Sequence, residues 1–181
     1  MAVDYPPPQR HERWLWWERM EHNADSLTDL FATVSLGAPE NAVGFVLWRV
    51  VHRYQREIDR VLAPLDLTHL QFTTLAMAGW LARSGGPTTQ PALAKAGEIH
   101  PMQVSHMLKA LADKGLVTRP RNPADVRAKL VKLSDEGVSV LRAAMPKVLE
   151  VQKRMFGTSG AVGGNFLATL RQIEDDSRAA S

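Results

Sequence analysis

The chain contains no cysteine, which excludes disulfides, zinc–thiolate clusters, cysteine nucleophiles and thiol redox sensing. No apolar run approaches the ~20 residues of a membrane span. The segment Met1 to Arg10 holds three prolines and no signal-type apolar stretch, so a cytoplasmic protein with no membrane partner is expected. Enzymatic parts are also missing. There is no His-Glu-x-x-His, no Gly-x-Ser-x-Gly elbow, no Walker loop and no dinucleotide fingerprint. The histidines at 11, 22, 52, 69, 100 and 106 include no i, i+4 pair. Ser105 and His106 are neighbours on a predicted helix and cannot form a nucleophile–base pair there. The glycine-rich stretch from Gly157 to Gly164 follows a predicted helix, where a phosphate cradle would follow a strand. No catalytic residue, metal or cofactor is expected, and no internal repeat of 20 to 50 residues is visible.

What is present is ordinary globular composition: 181 residues, 45% apolar and 23% charged, with a net charge of +3. A chain of this length buries enough surface for one domain. The charge is unevenly spread. From Pro101 to Leu133 stand seven cations (Lys109, Lys114, Arg119, Arg121, Arg127, Lys129, Lys132) and two anions (Asp113, Asp125), a balance of +5, against −2 over the remaining 148 residues. A solvated basic face produces such a cluster; so does a polyanion-binding element.

Periodicity gives a mainly helical chain. Tyr5-Pro-Pro-Pro8 cannot start a helix, and Arg10 to Glu21 reads as a short helix loaded with Trp14, Leu15, Trp16 and Trp17. A second short helix is predicted from Asp25 or Ser26 to Val34, stopped by Gly37-Ala38-Pro39. Val43, Leu47, Val50, Tyr54, Ile58 and Val61 repeat at three and four residues and predict a long helix over Asn41 to Leu62 with Arg49, Arg53, Arg56 and Arg60 on its other face. Thr68 caps another helix through Leu70, Phe72, Leu75, Met77 and Leu81, ending near Gly85-Gly86-Pro87. Thr89 caps a short helix with Gly97 as its stop. After Pro101 comes a helix burying Val104, Leu108 and Leu111 and closing at Gly115. Leu116 to Arg119 and Arg127 to Leu133 then read as strands flanking the turn Pro120 to Asp125, a hairpin with a basic tip. Ser134 caps a long helix through Val138, Leu141, Met145, Val148 and Leu149 to about Phe156, with Pro146 expected to bend it. Gly157 to Gly164 reads as a hinge before a last helix striped by Phe166, Leu167, Leu170 and Ile173.

This order, with Leu67-Thr-His-Leu-Gln-Phe72 and Leu75, Ala110-Leu-Ala-Asp-Lys-Gly-Leu-Val-Thr-Arg119, and above all Asp125-Val-Arg-Ala-Lys-Leu-Val-Lys-Leu-Ser134 with Gly137, resembles the MarR family of bacterial transcriptional regulators over Asn41 to about Phe156. The resemblance implies a mainly α fold with a small two- or three-stranded β wing: a winged helix-turn-helix on a helical dimerisation frame. It divides the chain into an N-terminal arm with extra helices (1–40), dimerisation helices (41–62 and 134–181) and a DNA-binding lobe (63–133), within a single structural domain overall. It further implies a homodimer on a pseudo-palindromic double-stranded operator, acting as a repressor released by a small aromatic or phenolic ligand.

In such a lobe the second short helix enters the major groove, which places Gln103, His106 and Lys109 outward with Ser105 on the flank. Glutamine suits adenine, and lysine and histidine suit guanine or phosphate. The wing would bring Arg121, Arg127 and Lys129 to the backbone and the adjacent minor groove. Asp125 could orient Arg127 or simply close the hairpin. Val126 stands where the family often has a further arginine. The family's ligand cleft would be bounded by the two long helices before the helix-turn-helix and the one after the wing, which makes Trp48, His52, Arg53, His69, Phe72 and Met145 ligand candidates, Arg49 and Arg56 standing nearby. Each also fits a structural role, Trp48 as core above all. The Trp-rich N-terminal helix resembles the family's urate-responsive subgroup, but Thr73 and Met107 occupy the positions of its acid and recognition-helix arginine, so urate is not expected, and the tryptophans fit packing at the dimer interface or against the lobe. A winged helix docking on another protein, or a metal-responsive regulator, remain the alternatives.

Overall fold

The computed structural model describes residues 26–33, 36–85, 88–122 and 125–179, without the side chains of 125–128. The expected Pro-rich arm and the helix carrying Trp14, Trp16 and Trp17 lie outside the described residues. Contacts divide the chain into two units, 1–52 and 53–181.

In the first unit, helix α1 covers 26–33. The breaker then acts as its residues dictate. Gly37 takes a left-handed φ of 84°, and Pro39 opens a single 3₁₀ turn, Pro39–Asn41, before helix α2, Val43–Leu62, which crosses the unit boundary. The apolar stripe of α2 divides with it. Val43 is 83% exposed, Leu47 49% and Trp48 56%, so these residues are not core, contrary to expectation.

In the second unit the same stripe is buried at Ile58 and Leu62. A 3₁₀ turn, Ala63–Leu65, and Asp66 at φ 51° and ψ 42° reverse the chain into helix α3, His69–Ala82. Thr68 and Gln71 form a reciprocal capping box, the Gln71 N–H donating to Thr68 Oγ1 at 3.3 Å and the Thr68 N–H to Gln71 Oε1 at 3.2 Å. Asp59 adds a third cap, accepting the His69 N–H at 2.6 Å, where an acid also suits the helix dipole. Helix α4, Gln90–Gly97, is capped by Thr89, and helix α5, Pro101–Asp113, follows. Gly97 does not terminate α4 by a left-handed turn. Glu98 takes that conformation at φ 50°, while a Cβ on Gly97 would lie 2.9 Å from Ile99 Cδ1 and 3.0 Å from Met77 Sδ. The glycine serves close packing.

The hairpin is longer than expected. Strand β1, Val117–Thr118, pairs antiparallel with β4, Lys132–Leu133, and β2, Arg121–Asn122, pairs with β3, Asp125–Lys129. Part of the predicted 120–125 turn is therefore strand. Thr89 bridges Leu130 as a third edge. Helix α6, Asp135–Phe156, starts at the Ser134 cap and runs unbroken through Pro146. Its inward stripe is Gly137, Ala144, Val148 and Val151; Val138, Met145 and Leu149 stay exposed. A Cβ on Gly137 would lie 2.0 Å from the Leu116 carbonyl oxygen, so only glycine lets α6 start against the root of β1. The expected hinge is a tight turn, the 3₁₀ helix Gly157–Gly160, where Gly160 and Gly164 press within 2.4 Å of Phe156 Cβ and 2.2 Å of the Ser159 oxygen as judged by an added Cβ. Helix α7, Asn165–Ala179, closes the chain. The core joins α2, α3, α4, α5, the wing root and α6 through Ile58, Leu62, Leu75, Leu93, Leu108, Leu111, Val131 and Val148.

Candidate nucleic-acid interface and ligand cavity

Helices α4 and α5 and the paired strands form a helix-turn-helix with a wing. Burial of Val104, Leu108 and Leu111 fixes the roll of α5, and leaves Gln103, His106 and Lys109 exposed with Ser105 half-buried beside them. Arg121, Lys129 and Lys132 are exposed on the hairpin. The side chains of Asp125 and Arg127, and the pairing expected between them, lie outside the described residues; their backbone belongs to β3.

Two cations of the basic stretch have other work. Lys114 Nζ donates to Gln71 Oε1 at 3.2 Å and to the Asp66 carbonyl, and meets the Asp66 carboxylate at 3.0 Å. Half-buried Arg119 donates through Nη2 to Gln90 Oε1 at 3.0 Å. Sequence counting could not separate these from the free cations, because their partners lie 48 and 29 residues away.

A cavity of about 550 Å³ opens between α3, α6 and the second-unit half of α2. Three ligand candidates line it: His69, Phe72 and Met145. Arg53 is exposed and not in the lining. Trp48 and His52 belong to the first unit, where their rings meet at 4.3 Å and His52 Nδ1 lies 2.8 Å from the Trp48 oxygen. The polar lining that sequence reasoning missed is Tyr54, Gln152, Thr73 and Arg83. Tyr54 Oη accepts from Gln152 Nε2 at 3.0 Å, which leaves the phenol proton for another acceptor. The Arg83 guanidinium lies 3.4 Å over the Trp80 ring and donates to the Trp80 oxygen at 2.6 Å. Burial holds the His69 imidazole below its ordinary pKa, with the Asp59 carboxylate opposing, which favours the neutral ring. His69 opens α3 and Arg83 follows its last residue, fourteen positions on and roughly 21 Å along the helix axis. Among the described lining residues, a hydrogen-bonding group around Tyr54 and His69 thus stands toward one end of α3 and one cation, Arg83, at the other. Among the described residues no group of three or more His, Asp or Glu is placed to hold a metal ion, and no helix is long and apolar enough to cross a membrane.

Comparison with known proteins agrees with this geometry. The MarR family model matches residues 67–129. The HTH-type transcriptional regulator YdcH of Bacillus subtilis is 33% identical over 135 residues, covering 75% of this chain and 91% of that protein. Among solved structures, a cysteine-to-serine mutant of Escherichia coli MarR complexed with operator DNA matches with a TM-score of 0.61 and 25% identity, over 75% of this chain and 92% of that one. CouR of Rhodococcus jostii RHA1, solved with p-coumaroyl-CoA, shares the fold with a TM-score of 0.63 and 24% identity, over 79% and 94% of the two chains. The matched segment spans the α3 cap, the helix-turn-helix and the wing as far as β3, and the Bacillus relative matches three quarters of the chain: the chain belongs to the MarR family of winged helix-turn-helix transcriptional regulators.

Proposed function

We propose that the protein is a homodimeric, sequence-specific repressor that binds a pseudo-palindromic operator and releases it when a small aromatic acid or phenol fills the α2–α3–α6 cavity. The observation that carries the reading is the exposed polar face of α5, with Gln103, His106 and Lys109, next to a hairpin bearing Arg121 and Lys129. A helix with this face reads base edges, and cations on the wing anchor phosphates. From the sequence pattern, Arg127 on β3 takes the same role and Asp125 orients it. That an E. coli protein of the same fold was solved with operator DNA supports DNA as the partner.

Dimerisation through 41–62 and 134–181, flanking a reading lobe at 63–133, is supported by apolar side chains that a single chain leaves in water: Val46, Trp48 and Val51 in the first unit, Leu149, Leu170 and Ile173 in the second. For the effector, apolar walls at Phe72 and Met145 suit an aromatic ring, which would meet either Arg83 through a carboxylate or Tyr54 with His69 through a hydroxyl. Trp48, His52 and Arg53 take no part in this pocket's lining. A mobility shift with the DNA upstream of the protein's own gene, without and with such compounds, tests both halves. Specific retardation that the ligand reverses is expected; retardation equal on scrambled DNA contradicts the reading.

A further inference from the structure

We propose that Gln90 is a positioning residue that sets recognition helix and wing in register, and thereby helps determine which DNA sequence the protein accepts. This rests on the DNA-binding reading above. Gln90 is the first residue of α4 and sits on neither α5 nor the wing, yet its amide holds both. Nε2 donates to the Pro101 carbonyl at 3.3 Å, at the start of α5, while Oε1 accepts from Arg119 Nη2 at 3.0 Å, at the end of β1. A guanidinium only donates and a carbonyl only accepts, so one amide orientation alone satisfies both partners. Arg119 is half-buried in this seat, and the side chain cannot turn to a phosphate without giving up its bond to Gln90.

The backbone around Gln90 ties the same point to the wing. Val131 N–H donates to the Thr88 oxygen at 2.7 Å, Thr89 bridges Leu130, and Leu130 N–H donates to the Pro120 oxygen at 2.9 Å. The first turn of α4 is thus fixed to the hairpin by its main chain. The amide carries that constraint onward to the first turn of α5, whose next residues include Gln103. Base reading by α5 and anchoring by Arg121 on the wing are useful together only when both reach the duplex at once. A bridge between them acts on that simultaneity and needs no contact with DNA.

The test uses the full-length protein and an operator selected by it from a random duplex pool. Gln90→Ala removes both arms; Gln90→Glu keeps an acceptor for Arg119 and loses the donor to Pro101; Arg119→Met cuts the wing arm. For each, the ratio of operator to scrambled-duplex affinity is expected to fall about tenfold, within the span that single contacts command in specific sites. In the wild type, Gln103→Ala and Arg121→Ala should be coupled in a double-mutant cycle, and in the Gln90→Ala background they should become additive. A residue that merely supports the fold would lower the melting temperature and weaken both duplexes alike. An unchanged ratio and unchanged coupling in Gln90→Glu and Arg119→Met overturns the proposal. If the wild-type protein enriches no sequence from the pool, the DNA-binding reading falls and takes the proposal with it.

Discussion

The Lys114 ammonium meets the Asp66 carboxylate at 3.0 Å, clamping the end of α5 to the left-handed turn that precedes α3. Asp66 is largely exposed, so the pair contributes at most about 1 kcal/mol. Lys114 counts toward the basic balance of 101–133 but is already neutralised. Lys114→Ala should leave the slope of log affinity against log salt unchanged while lowering stability slightly. Lys109→Ala, on the exposed face of α5, should reduce that slope by about one. DNA titrations at four or five salt concentrations, with melting curves, separate the two.

His69 yields a pH dependence. Its folded-state pKa lies below the unfolded value because burial disfavours the cation, Asp59 only partly offsetting this. Between the folded pKa and about 6.5 the unfolded chain therefore binds more protons. Its contribution to stability is complete above pH 6.5 and is lost as pH falls toward the folded pKa. Denaturant unfolding from pH 8 to pH 5 should show this loss, and His69→Gln should flatten it. An equal loss in the variant would assign the dependence to other groups.

Gly137→Ala should be among the most damaging single substitutions. The new methyl would sit 2.0 Å from the Leu116 carbonyl oxygen, which backbone alone occupies, and α6 must move away from β1 to admit it. The cost is expected at about 3 kcal/mol. Gly85→Ala, with no atom within 4 Å of the added carbon but a φ of 76°, isolates conformational strain and should cost about 1 kcal/mol. Paired urea denaturation curves distinguish close contact from strain.

The ligand cavity carries its own reciprocal test. If effector and operator favour different arrangements, each lowers the other's affinity by one common factor, typically about 5- to 150-fold. Arg83→Ala should weaken an aromatic carboxylate and its effect on operator binding, with operator affinity itself little changed. Tyr54→Phe should act selectively on hydroxylated ligands. Arg53→Ala should change neither. Trp80, beneath Arg83, provides a fluorescence signal once the other tryptophans are replaced.

The helix starts were legible because Thr68, Thr89 and Ser134 carry their signal within three residues, and each caps the helix it announces. The outward face of α5 was legible for the same local reason: three apolar residues at three- and four-residue spacing fix its roll. The cavity was less so. Tyr54 sat in the apolar stripe of α2 and read as core, while Arg83 lay past the last periodic position of α3. The hydrogen bond that holds Tyr54 in the lining comes from Gln152, 98 residues away, which no local pattern encodes. Trp48 failed in the opposite sense. Its spacing matched a buried face, but periodicity tells which residues share a side and not whether anything covers it.

The central claim is sequence-specific operator recognition by α5 and the wing. It is tested most directly by measuring affinity for the selected operator and for a scrambled duplex at physiological salt, in wild type and Gln103→Ala. The wild type is expected to prefer its operator by about 10³-fold or more and the variant to lose about 1–3 kcal/mol of that preference at one base position. Equal affinity for both duplexes, or a folded Gln103→Ala variant with undiminished preference, would contradict it.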